Sequence, residues 1–413
     1  MSNYLFFIII ILMLCGCDSI RQSSPLSQGS WRAEITMQNQ QLPFNFEVDS
    51  KGDSQVIYLI NGKERLAVNE IKYFGDSVKI YMPFFDCEIV GTTTGSKLEG
   101  VYIKRFPDRE YRLPLVAVLG KTHRFGGELS TPIANLSDKW EVNFIEENGD
   151  SSKAVGIFNQ DGNNLTGTFL TTTGDYRFLA GNVDGNNLNL SCFDGEHAFL
   201  FKATIEEDTT LAGTFWSGNS YNVKWTARKN PQAALPNPDS LTFLKEGYDR
   251  ISFAFPNLNG DPVRLSDDKY KGKVVIVQML GSWCPNCMDE TAFLSKYYKT
   301  NADKPIAIIG LAYERNPEFA EAKKRLDKMK SRFDIDYDLL IAGTYNKAAA
   351  AATLPMLNSV LAFPTTIFID KAGRVRKIHT GFNGPGTGIY YEKFVEEFNT
   401  FIDKLLAEEA PKQ

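Results

Sequence analysis

Histidine and cysteine are scarce in this chain, which has three of the first and six of the second in 413 residues. Six cysteines are too few to build a disulfide scaffold at this length, so each must be read by its position. His123, His197 and His379 stand apart from one another, and the first two also from carboxylate clusters, so no metal site is expected at them. A basic excess is missing as well: 45 Lys and Arg against 50 Asp and Glu leave a formal charge of -5, and the acidic surplus lies before residue 240. Such a chain offers no cationic field to nucleic acid. Beyond residue 14 no long apolar run occurs, which excludes a polytopic membrane protein. What remains is ordinary globular composition, 43% hydrophobic and 23% charged with mean hydropathy -0.25. At roughly 150 residues per domain, the length predicts two to three folded units.

Residues 4–14 are uninterrupted apolar residues. At about 1.5 Å per residue they are too short to cross a hydrocarbon core of about 30 Å, and they read as the h-region of a signal peptide. The run ends in Leu14-Cys15-Gly16-Cys17, which resembles the bacterial lipoprotein signal, although the leading Met1-Ser2-Asn3 has no Lys or Arg. The resemblance implies removal of residues 1–16, with Cys15 among them, and acyl chains on Cys17. Residues 17–29, rich in Ser and Gln, form a tether. The protein is then expected to be exported and lipid-anchored to a bacterial membrane, facing the periplasm or the cell exterior.

Residues 30–228 consist of short alternating runs broken by turn signals such as Asn61-Gly62, Asp161-Gly162 and Asp184-Gly185. This predicts an all-β region, an antiparallel sandwich or up-and-down barrel. The region also matches itself at offsets near 110 residues: Trp31 with Trp140, and Leu98-Glu-Gly100-Val-Tyr102 with Leu211-Ala-Gly213-Thr-Phe215. Leu165-Thr-Gly167-Thr-Phe169 is a third copy. Read as a duplication, this divides the region into 30–118 and 119–228; the shared composition of meander strands is the competing explanation. Cys87 and Cys192 do not fall at matching places and read as small buried hydrophobes rather than a disulfide. Aromatic and Thr-rich strands can line a ligand cavity or simply fill a core.

The Pro-studded stretch 229–240 breaks helix and strand alike and marks a linker. From 241 to 409 strands and helices alternate, as in an α/β domain. Residues 273–279 predict a buried strand, 287–300 an amphipathic helix and 305–312 a second strand. A second helix is expected to start from Asn316 as N-cap with Pro317 at its first position and to end near 332. Residues 365–370 and 375–380 form a hairpin, and 390–406 a closing helix with Phe394, Phe398, Phe401 and Leu405 on one side. Cys284-Pro285-Asn286-Cys287 sits at the turn from the first strand to the first helix. A zinc knuckle needs a second ligand pair, which the chain lacks after Cys287, so the pair reads as a dithiol that cycles with a disulfide. No bound cofactor is then required.

Gly281-Ser-Trp283-Cys284-Pro285-Asn286-Cys287 after a buried strand, with Phe363-Pro364-Thr365-Thr366-Ile367-Phe368-Ile369-Asp370 about eighty residues on, resembles the thioredoxin superfamily. More closely it resembles the exported TlpA/ResA-like thiol-disulfide oxidoreductases, over 241–409 only. The resemblance implies a thioredoxin-like fold, a cis peptide at Pro364 lying against the dithiol, and a membrane electron donor or acceptor that services the couple. Its partners would be exported protein thiols or disulfides. Independently, a helix N-terminus aims N-H groups at Cys284 and favours its thiolate, which makes Cys284 the nucleophile. Cys287, one turn on, resolves the mixed disulfide. Gln278, where thioredoxin carries a buried acid six residues before the nucleophile, cannot shuttle a proton. Glu314 occupies a place resembling the active-site Glu of ResA-like members, and Trp283 is expected to shape the partner surface. Two rival readings stand beside this one. One is a thiol peroxidase of the same fold, against which Gly281 replaces the signature Thr; the other is a binding lipoprotein whose β region captures a ligand.

Overall fold

The computed structural model describes residues 25–52, 54–82, 85–207 and 209–409, so the expected signal peptide, Cys17 and the tether up to residue 24 lie outside the described residues. Two antiparallel nine-stranded sheets come first. In each, the opening strand pairs with the closing one: Gly29–Met37 with Glu110–Leu119, and Asp138–Ile145 with Tyr221–Lys229. The first sheet leaves the consecutive strands Glu64–Val68 and Glu70–Phe74 at its edges. In the second, Ser151–Asp161 pairs with Asn164–Thr171, which pairs in turn with Leu179–Asp184. That circuit closes the sheet into a barrel and removes its edges. Alternating residues point inward, and Trp140, Phe144, Phe169, Phe201, Phe215 and Trp225 fill the barrel.

Both sheets open with the same device. Trp31 and Trp140, fully buried in the first strand of each, donate from Nε1 to the carbonyl four residues back, Ser27 at 2.9 Å and Leu136 at 2.8 Å. The glycine common to the three Leu-x-Gly copies also has one cause. A Cβ on Gly100, Gly167 or Gly213 would fall 2.1, 2.2 or 2.1 Å from a carbonyl oxygen of the neighbouring strand. The two units share core: Phe193 of the second packs 4.4 Å from Phe44 of the first.

The C-terminal domain has a five-stranded sheet in the order Asp338–Thr344, Ile306–Glu314, Val274–Leu280, Thr365–Ile369, Val375–Thr380, the first three parallel and the last two antiparallel. Helices α1 (Pro285–Thr300), α2 (Phe319–Phe333), α3 (Lys347–Thr353) and α4 (Ile389–Ala407) complete it. Covered on both faces, Val274–Leu280 is buried at every position, which explains why it is apolar throughout except at Gln278, whose amide is hydrogen-bonded to Glu290. One helix start differs from expectation. The N-cap of α2 is Glu318, whose carboxylate accepts from the N-H groups of Ala320 and Glu321. Asn316 instead accepts from Glu318 N in the preceding turn, which uses up its capping oxygen. Among the described residues, no helix is long and apolar enough to cross a membrane.

Candidate active site

Cys284 is the N-cap of α1, with Pro285 at the first helical position, where a missing N-H does no harm. Its Sγ accepts from the Cys287 N-H at 3.2 Å, so a helix-terminal donor points at the sulfur. The thiol donates to the carbonyl of Phe363 at 3.4 Å, and the Phe363–Pro364 peptide is cis. Both cysteines are free thiols; Cys284 is 6% exposed and Cys287 fully buried. Burial pushes the Cys287 thiol well above its ordinary value, and its hydrogen bond with Cys284 adds to the rise.

The indole of Trp283 donates to the Tyr313 carbonyl at 2.9 Å and stands edge-on to Phe363 at 5.9 Å, with the Arg315 guanidinium 5.2 Å over its ring. A Cβ on Gly281 would lie 2.2 Å from Trp283 Nε1, so the threonine of the peroxidase signature has no room while this indole is in place.

Two carboxyls are buried beside the dithiol. Glu314, at the end of Ile306–Glu314, accepts from Ser282 N at 2.8 Å and Ser282 Oγ at 2.6 Å, and so fixes the loop that delivers Cys284. Burial raises its pKa, against the opposing pull of Ser282. Glu290, which the sequence reading passed over, lies one helical turn beyond Cys287. It accepts from Thr366 Oγ at 2.7 Å and from Gln278 Nε2 at 2.8 Å. Burial pushes its pKa up to about 7 against both donors. The signal was present in its spacing: three residues after Cys287 is the same buried face of an inward-facing helix.

The β region takes part in this site. Arg177 Nη1 donates to the carbonyl of Pro285 at 3.2 Å, and Asn286 Nδ2 donates to the carbonyl of Asp175 at 3.3 Å, so the barrel grips the dipeptide between the cysteines. Arg177 also pairs with Glu64 of the first sheet at 2.5 Å, Asp194 of the barrel at 3.2 Å and Asp289 of α1, joining all three units. Burial pushes Asp289 up to about 7, although Arg177 opposes it. His197, expected apart from carboxylates, hydrogen-bonds Asp194 at 3.0 Å because a turn brings residues three apart together. Cys87 and Cys192 are buried and free.

A dithiol capping a helix beside a cis-proline loop, on a sheet with this strand order, defines a thioredoxin-fold oxidoreductase. The Redoxin family model matches residues 246–392. The thioredoxin-like protein YneN of Bacillus subtilis is 29% identical over 138 residues, 33% of this chain and 73% of that one. A thiol-disulfide oxidoreductase ResA of Bacillus cereus is 31% identical over 133 residues, 32% of this chain and 68% of its own length. A solved thiol:disulfide interchange protein of the thioredoxin family from Chlorobium tepidum is 20% identical, with a TM-score of 0.30 over 42% of this chain and 99% of that one. Through its C-terminal domain the chain belongs to the ResA-like thiol-disulfide oxidoreductases; these relatives do not extend over the β region.

Proposed function

We propose that the protein is an exported, lipid-anchored reductant of protein disulfides, tethered to the membrane through Cys17 and recharged by a membrane electron donor. The observation that carries the redox chemistry is the Cys284 sulfur, held at the start of α1 by the Cys287 N-H and facing the Phe363 carbonyl. The Cys284 thiolate attacks one sulfur of a substrate disulfide, forming a mixed disulfide and expelling the first substrate thiolate, which takes up a proton. Cys287 gives up its proton and attacks Cys284 Sγ, which closes the Cys284–Cys287 disulfide and releases the second substrate thiol. Two thiols are oxidised and one disulfide reduced. Glu290, a buried carboxyl near neutrality beside Cys287, is suited to accept that proton, while Glu314 positions the loop through Ser282.

The reducing direction rests on electrostatics. A couple becomes oxidising when the protein stabilises its thiolate, as in the strongly oxidising members of the fold. Here burial and the hydrogen bond with Cys284 disfavour the Cys287 thiolate, which supports the reducing direction, while the Cys287 N-H at the Cys284 sulfur acts in the opposite sense. Equilibration with glutathione is expected to give a potential at or below about -200 mV, in the thioredoxin and glutaredoxin range, whereas a value near -120 mV overturns the reductant assignment. A full-length Cys287→Ser protein is expected to trap partner proteins as mixed disulfides. Trapping that persists after Cys284→Ser is added argues against the mechanism.

A further inference from the structure

The thiol that must meet substrate is almost covered, and the space in front of it is not open surface. A cavity of about 620 Å³ lies there, with Trp283, Cys284 and Phe363 on one wall and the open end of the second barrel on the other. The barrel wall is aromatic. Tyr176 stands at its centre, 5.3 Å from Phe199, 5.4 Å from Phe215 and 5.8 Å from Phe144, with Tyr221 at the rim 6.1 Å from Phe215. Thr171, Thr172, Thr173 and Ser217 add hydroxyls around it.

The charged groups of the lining already have partners. Arg315 is paired with Glu196 at 2.6 Å, His197 with Asp194 at 3.0 Å and Lys153 with Glu141 at 3.7 Å. Asp175 accepts from the N-H groups of Arg177 and Gly384. Little charge is left to match the carboxylates of a small anionic thiol such as glutathione. What the cavity offers is aromatic surface with a few hydroxyls, which suits an uncharged apolar or aromatic side chain on a thin, extended chain.

We infer that the open end of the second barrel is a substrate subsite: it receives an apolar or aromatic residue next to the cysteine of an extended polypeptide, while that cysteine's disulfide meets Cys284. The inference rests on the exchange chemistry proposed above and assigns the barrel the choice of substrate.

The test uses the reduced full-length protein and three disulfides: a short peptide disulfide with Phe on both sides of Cys, the same peptide with Ser in those places, and glutathione disulfide. Second-order rate constants are read by quenching and mass spectrometry. The Phe peptide is expected to react about tenfold faster than the Ser peptide, the discrimination a modest apolar pocket provides. Tyr176→Ser is expected to bring that ratio near one; Tyr221→Ser, at an exposed rim position, lowers it partway and guards against misfolding of the first variant. Equal rates for the two peptides, a preference for glutathione disulfide, or variants that slow all three substrates alike overturn the subsite. If the wild-type protein reacts with none of the three, it is the exchange chemistry that fails instead.

Discussion

Arg177, in the loop between Gly174–Asp175 and Leu179–Asp184 of the second barrel, hydrogen-bonds the main-chain carbonyl of Pro285, between the two cysteines of another domain, at 3.2 Å. The same guanidinium is the only cation paired with Glu64 and Asp289 and shares Asp194 with His197 among the described ion pairs. Arg177→Met therefore strands buried carboxylates contributed by three units. The expected loss is about 3–5 kcal/mol of stability, as for breaking other buried pairs from one side, read from urea midpoints of the full chain. Adding Asp289→Asn should recover part of it, because one stranded acid is gone. An Arg177→Met protein as stable as wild type would show that the cluster does not hold the units together.

The barrel's second grip is steric. Gly174 has φ +141°, and a Cβ there would sit 2.3 Å from Asn286 Nδ2. Gly174→Ala is expected to cost about 1–3 kcal/mol through backbone strain and this overlap. Asn286→Ala, made in the same chain, should relieve the overlap and leave the strain. A double-mutant cycle on thermal unfolding then gives a non-zero coupling, and strict additivity would mean the two residues do not press on each other.

Burial raises Glu290 to about 7 from an ordinary carboxyl value near 4.5. The folded protein then holds a proton that the unfolded chain has lost, so this group's stabilising contribution is complete below about pH 4.5 and disappears as pH rises toward 7. Relative to wild type, Glu290→Gln should gain stability over that window, on the order of 3 kcal/mol, in urea unfolding at stepped pH values. The same variant should flatten the pH dependence of disulfide exchange near neutrality. A stability difference that does not change between pH 4.5 and 7 would contradict a buried, proton-holding Glu290.

How much of this was legible in the sequence follows from how local each feature is. The dithiol, its strand-to-helix setting and the Pro364 loop rest on neighbouring residues, and the structure brings Cys284, Cys287, Trp283 and Pro364 together. The period-two runs predicted strands and left sandwich or closed barrel undecided, because closure depends on whether Asn164–Thr171 pairs on both of its sides. The contribution of the barrel to the site was invisible. Arg177 meets Glu64 and Asp289 across 113 and 112 residues, and in sequence each looks like a solvated surface charge. Glu290 was hidden for a related reason: an acid on an amphipathic helix reads as its polar face until Thr366 and Gln278 are seen to supply donors.

Glu314 offers the sharpest separation between holding a loop and moving a proton. Its two oxygens take the Ser282 N-H and hydroxyl, two residues before Cys284. Glu314→Ala leaves a buried N-H without its acceptor and should cost about 1–3 kcal/mol, with slower exchange because Cys284 is less well placed. Glu314→Gln keeps an oxygen for the Ser282 N-H, so it should retain most of the stability. If Glu314 only positions the loop, the Gln variant also keeps the wild-type shape of the pH-rate profile, even where the rate falls. If instead its profile loses a limb that the Glu290→Gln profile keeps, the proton acceptor is Glu314, and Glu290 is left as a buried acid that only shapes stability.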